Sequence, residues 1–77
     1  MTNNEELKTI MLSIGLDSDL VKAIKPTEPL ALQGLDSFDF PAFAAAVEEK
    51  YGKQISDRDV LRLKTLNDFA AYINGEL

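Results

Sequence analysis

Apolar residues recur every three or four positions in three separate stretches of the chain, the spacing that lays one buried stripe along a helix. In the first stretch Leu7, Ile10, Met11 and Ile14 make the stripe. Asn3 or Asn4 is placed to cap that helix, and Glu5 and Glu6 fall in its first turn, where the helix dipole favours acids. Gly15 ends it, with Leu16 positioned to fold back on Met11 as in a Schellman cap. The second stripe is Phe40, Phe43, Val47 and Tyr51, which predicts a helix from near Ser37 to Gly52. Pro41 lies in its first turn, where a missing N–H costs little, and Lys50 and Lys53 suit its negative end. On a different face of the same helix lie Phe38, Ala42, Ala45 and Glu49, whose small residues leave a shallow surface. The third stripe, Leu66, Phe69, Ala70 and Ile73, opens on a capping-box pair, Thr65 and Asp68, and stops at Asn74-Gly75. A short additional helix starts at Ser56-Asp57-Arg58-Asp59 and carries Val60, Leu61 and Leu63.

Between the first two stripes runs a long connection, Leu16 to Asp36, containing Pro26, Pro29 and a short helical turn over Asp19 to Ile24. Connections of this length are uncommon in a compact domain and are often functional or tightly packed. Leu20, Val21, Ile24, Leu30 and Leu32 are its expected anchors, and its length lets the second helix lie roughly parallel to the first. With no competing strand signal, the pattern predicts an all-α fold. It is a four-helix bundle of three main helices and one short one, with a long loop between helices one and two. Residues 1–77 are expected to form a single free-standing domain, without repeats or an internal boundary.

Composition removes most chemistry. The 77 residues include no cysteine and no histidine, which excludes disulfides, thiolate catalysis, imidazole acid–base catalysis and the usual zinc sites. Thirteen acids against eight scattered bases give a net charge of −5, the wrong sign and distribution for nucleic acid and suited to partners with basic surfaces. No run approaches the roughly 18 apolar residues of a membrane span, and the N-terminal residues lack the features of a signal peptide. Asp17-Ser18-Asp19 and Asp57-Arg58-Asp59 do not continue into a calcium loop, so no metal site is expected. A cytoplasmic monomer fits these features.

One stretch stands apart. In Gly34-Leu35-Asp36-Ser37-Phe38-Asp39 a hydroxyl sits at the mouth of a helix, where free N–H groups and the dipole tolerate a phosphate. Ser37 is therefore a candidate point for covalent attachment of a phosphate-linked group. The rival is a non-enzymatic helical interaction domain in which Ser37 only caps a helix. Acid–base catalysis by Asp36 and Asp39 is a third reading, weakened by the missing histidine and by a chain too short to enclose a substrate.

Beyond that short motif, the order Asp36-Ser37-Phe38-Asp39, Val47-Glu48-Glu49-Lys50-Tyr51-Gly52, Ile55-Ser56-Asp57-Arg58-Asp59, Thr65-Leu66-Asn67-Asp68-Phe69 and Tyr72-Ile73 resembles the acyl carrier protein family. That family has an Asp-Ser-Leu core, a Glu-Glu-x-Phe-Gly helix end and a Thr-x-x-Asp helix start. The resemblance implies that Ser37 receives 4′-phosphopantetheine from coenzyme A through a phosphopantetheinyl transferase, and that Asp36 helps place magnesium and coenzyme A in that complex. The arm's thiol then carries an acyl or aminoacyl group as a thioester, in fatty-acid, polyketide or related biosynthesis. An acyl-loading ligase or synthase and downstream acyl-transfer enzymes would be the partners, and the carrier itself catalyses nothing. The partner-facing residues implied are Phe38, Asp39, Ala42, Ala45, Glu48 and Glu49.

Departures from the pattern imply a specialised member. Phe38 replaces the usual leucine, Ala42 stands where many relatives have a glutamate, and Lys50 and Arg58 stand where many have acids. Relatives that carry fatty acids shelter the chain between helices; here Phe40, Phe43, Tyr51, Phe69 and Tyr72 are bulky enough to occupy that space.

Overall fold

A computed structural model describes residues 2–76 and, among them, contains helices and no strand. The order is α1 (Asn4–Ser13), α2 (Ser18–Ala23), a single 3-10 turn (Leu30–Gln33), α3 (Asp39–Tyr51), α4 (Asp57–Arg62) and α5 (Leu66–Ile73). The predicted bundle is present. The suggested turn over 19–24 is a full short helix, α2, and the 3-10 turn adds an element that the apolar pattern did not signal.

Local chemistry explains the boundaries. Asn3 is the cap of α1, its side-chain oxygen accepting from Glu6 N–H at 2.9 Å. The exit is a Schellman motif: Leu16 N–H donates to the Met11 carbonyl and Gly15 N–H to that of Leu12, at 3.2 and 3.1 Å. Gly15 sits at φ 96°, a conformation that favours glycine. Asp17 caps α2 through Leu20 N–H, and Ser56 caps α4 through Asp59 N–H. At α5 the capping box closes in both directions: Asp68 N–H donates to Thr65 Oγ1, and Asp68 Oδ2 accepts from Thr65 N–H.

Leu7, Met11, Leu30, Phe43, Val47, Leu63, Leu66 and Phe69 are wholly enclosed, so every long helix and the connection contribute to one core. Rings organise its centre: Phe43 meets Phe69 edge-on at 4.8 Å between centroids, and Phe40 meets Phe69 edge-on at 5.7 Å. Val21, Ile24 and Leu30 anchor the connection as expected, but Leu32 does not; it is 82% exposed. The 3-10 turn explains this, since its first residue Leu30 faces the core and Leu32 is turned out. Leu35, absent from the expected anchors, is buried instead. On α4, Leu61 is likewise 77% exposed, and the leucine that reaches the core is Leu63, just past the helix end.

α3 runs antiparallel to α1, not parallel as its long connection allowed. Tyr51, at the end of α3, hydrogen-bonds through its hydroxyl to Thr2 at the start of α1. Ala46, half a helix earlier, lines one groove with Ile10 and Ile14 near the end of α1. The connection is spent on folding across one end of the bundle. There Gln33 clamps it, accepting from Lys25 N–H at 2.7 Å and donating to the carbonyls of Lys25 and Glu28 at 2.9 Å each. Leu30 N–H and Asn67 N–H, bonded to the carbonyls of Lys64 and Pro26, stitch it to the start of α5. At the other end, Asn74 closes on Thr2 with two bonds, Thr2 N–H to Oδ1 at 2.7 Å and Nδ2 to the Thr2 carbonyl at 3.1 Å. The start of α3 is thus roughly 20 Å along the helix axis from this knot, thirteen residues at about 1.5 Å each.

Candidate functional site

Regular helix begins at Asp39, two residues later than the apolar stripe suggested, and leaves Ser37 in the turn before it. Pro41 supplies the reason. Phe40 N–H reaches the Asp36 carbonyl at 3.2 Å and Ala42 N–H reaches that of Phe38 at 3.3 Å, so both flanking rungs of the ladder exist. The rung between them would need an N–H on residue 41, which proline lacks, and its ring presses on the carbonyl four residues back. That carbonyl belongs to Ser37. The serine is held at the helix mouth yet kept out of the ladder.

Asp36, not Ser37, caps α3. Its Oδ1 accepts from both Phe38 N–H and Asp39 N–H at 2.8 Å, and Asp39 Oδ2 returns a long contact of 3.4 Å to Asp36 N–H. The arrangement is a capping box built from two aspartates. Among the described residues the Ser37 hydroxyl makes no hydrogen bond, and its side chain is exposed. A serine that capped the helix would have its oxygen engaged with an N–H of the first turn; this one is available for reaction. The turn is approached through Gly34 at φ 105°, where a Cβ would stand 2.7 Å from Leu20 Cδ1. The backbone conformation calls for glycine, and a Cβ there would in addition make the end of the Leu20 side chain move aside.

The two N–H donors hold the Asp36 carboxyl below the usual aspartate range, the bond to Asp39 first and that to Phe38 second. Both bonds use Oδ1, so among the described residues Oδ2 is without a protein partner. No three carboxylates converge to hold a metal among the described residues, so a cation at Oδ2 would need ligands from elsewhere. A pH prediction follows from the lowered value. The stability given by this carboxylate is complete above the ordinary aspartate pKa, about 3.9, and is lost as pH falls from there through the lower folded value. The melting temperature of Asp36→Asn, which keeps a capping oxygen without the charge, is expected to fall less than that of the wild type below about pH 4. Parallel curves for the two proteins would remove Asp36 from the cap.

These features are an exposed serine free of internal bonds, a neighbouring carboxylate with one oxygen to spare, and a helix N-terminus behind them. A family model described as the phosphopantetheine attachment site matches residues 5–73. The chain belongs to the acyl carrier protein family. It is 34% identical over 74 residues to an acyl carrier protein of Bdellovibrio bacteriovorus, a match covering 95% of this chain and 92% of that one. Like the family, it is a carrier and not an enzyme: it holds acyl groups on 4′-phosphopantetheine and hands them to partner enzymes such as transferases and synthases.

The other residues expected at the carrier's surface lie along one helix. Phe38 is 83% exposed beside Ser37, and Ala42, Ala45 and Glu49 are exposed further along α3, with Asp39 half-buried in the cap. Glu48 is partly committed internally, its Oε2 accepting from Ile55 N–H at 2.9 Å and so fixing the segment that leads to α4. Sequence reading missed that role, and it missed the ties of α5 to α4 and to the segment before it as well. Tyr72 donates its hydroxyl to Asp59 Oδ2 at 2.9 Å, and Lys53 Nζ lies 4.8 Å from the Tyr72 ring centre while donating to the Tyr72 carbonyl at 2.8 Å. That carboxylate pushes the tyrosine pKa upward. α4 buries no residue fully, and the Tyr72–Asp59 bond holds it together with half-buried Val60, which packs against the core. No sequence signal marks such pairs, which depend on residues 13 to 19 positions apart.

Proposed function

We propose that Ser37 is the residue that bears the 4′-phosphopantetheine arm, and that Asp36 is the carboxylate beside it in the transferase complex. The single observation behind this reading is the unengaged, exposed Ser37 hydroxyl in the turn before α3, left free because Asp36 supplies the cap. The bound arm supplies a thiol, which the chain lacks altogether. The chain's own part is to hold the Ser37 oxygen clear of the helix and to leave Asp36 Oδ2 open toward a cation brought with the donor. Incubation with coenzyme A, magnesium and a promiscuous phosphopantetheinyl transferase is expected to add the mass of one arm per chain. A chain of unchanged mass would defeat the assignment.

Partner enzymes are proposed to dock along the exposed face of α3, with Phe38 as the apolar contact next to the arm and Asp39, Ala42, Ala45, Glu48 and Glu49 behind it. The acidic balance of the chain favours partners whose entrances are basic, since complementary charge speeds encounter without tight binding. A dedicated acyl-loading ligase or synthase fits a face that is acidic at both ends and apolar in its middle. Phe38→Ala is expected to leave thermal stability within about 0.5 kcal/mol, as for an exposed side chain away from packing, while slowing arm transfer or acyl loading. A loss of several kcal/mol, or unaltered loading rates, would take Phe38 out of the docking face. We propose a single-domain monomer that works in the cytoplasm, a compartment with which the cysteine-free sequence is compatible. Among the described residues no helix is long and apolar enough to cross a membrane.

A further inference from the structure

We propose that the group carried on the arm is short or polar and stays outside the bundle, because aromatic rings already fill the space between α3 and α5. The proposal builds on Ser37 bearing the arm. Phe43 and Phe69 are fully enclosed and touch edge-on at 4.8 Å, while Phe40, one turn nearer Ser37, closes on Phe69 at 5.7 Å. Ring centroids at these separations are in contact, which leaves no gap the width of a methylene chain between the rings of either pair. Phe40 stands where a chain entering from the Ser37 end between these helices would have to pass. To admit one, an aromatic ring would have to leave its packed position, and close-packed interiors resist such additions.

Neither of two hollows on the described surface offers a substitute. A cleft of about 340 Å³ beside α4 and α5 is walled by Lys53, Asp59, Arg62, Asp68 and Tyr72, with only Leu63 as an aliphatic side chain. The groove of about 550 Å³ between α1 and α3 has Ile10, Ile14 and Ala46 on its floor, but Ser13, Glu49 and Lys50 line it too, and it lies in the half of α3 remote from Ser37. A long alkyl thioester would therefore keep its methylenes in water, an unfavourable state for a carrier that must remain soluble between partners. A short acyl group, or an amino or hydroxy acid whose polar atoms water solvates, carries no such penalty.

The test compares mass-verified acetyl and octanoyl forms of the loaded wild-type protein by amide and side-chain NMR shifts and by melting temperature. Expected are shifts confined to the neighbourhood of Ser37, unmoved signals from Phe43, Leu66 and Phe69, and equal melting temperatures for the two forms. Displaced signals from those three residues in the octanoyl form alone, or a melting temperature raised by more than about 4 °C, would overturn the proposal. Should the transferase leave Ser37 bare, that result counts against the attachment site and not against the filled interior. Ser37→Cys, which introduces the chain's single thiol, is then alkylated with arm-length linkers ending in a methyl or an octyl group, and the same readouts decide.

Discussion

Ser37→Ala is expected to abolish loading completely while leaving the fold intact. The first half follows from removing the only atom to which the arm would be joined. The second half is the more discriminating, because it separates an attachment serine from a capping one. A side-chain cap contributes about 0.5–2 kcal/mol, and its replacement by alanine would lower the melting temperature visibly. Here the N–H groups of the first turn are taken by Asp36 Oδ1, and the Ser37 hydroxyl is bonded to none of the described residues. The substitution is therefore expected to shift stability by less than about 0.5 kcal/mol, as exposed changes away from packing do. Intact-mass measurement after incubation with coenzyme A and a transferase, alongside a thermal melt, reads both halves. Residual loading of the variant would move the arm to another hydroxyl, and a drop of 1–2 kcal/mol would return Ser37 to the role of cap.

The second large effect is expected at the other extreme of burial. Phe69→Ala removes a ring that is fully enclosed and in contact with two others, and large-to-small changes of this kind cost about 3–5 kcal/mol. A domain of 77 residues is held together by roughly 4–11 kcal/mol in total. Most of the margin is then gone, and the melting temperature is expected to fall by on the order of 12–40 °C, at about 4–8 °C per kcal/mol. Phe38→Ala makes the natural comparison, the same chemical change at a residue with 83% of its surface in water. Circular dichroism melts of the two variants should differ by nearly the whole of the Phe69 effect. Similar losses from both would mean that the ring cluster does not organise the core.

Much of this was legible in the chain because the relevant interactions are local. Asn3 with Glu6, Thr65 with Asp68, and Gly15 with Leu16 lie within a single turn of one another, and each closed as a cap where the residue types called for it. The stripes through Leu7, Phe43 and Phe69 reached the core for the same reason: helical period alone decides which side chains share a face. Errors arose where a choice depended on distant partners. Leu32 reads as an anchor until the 3-10 turn rotates it outward, and the direction of α3 is set by contacts such as Tyr51 with Thr2, 49 residues apart. At the site itself the pattern placed Ser37 at the mouth of a helix beginning near it, and the consequence of Pro41 for the carbonyl four residues back was the missing step. That step needs only the proline rule and could have been read from the sequence. The spare oxygen of Asp36 could not, since it depends on which oxygen accepts the two N–H bonds.

The most direct measurement locates the arm on the unaltered protein. Within residues 23–50, a fragment bounded by lysines at 22 and 50, Thr27 and Ser37 are the sole hydroxyl-bearing side chains. Fragmentation mass spectrometry of that segment after loading is predicted to place one phosphopantetheine on Ser37 and none on Thr27. A loaded chain whose added mass sits on Thr27 or outside the segment, or a chain that gains no mass from a competent transferase, would contradict the account.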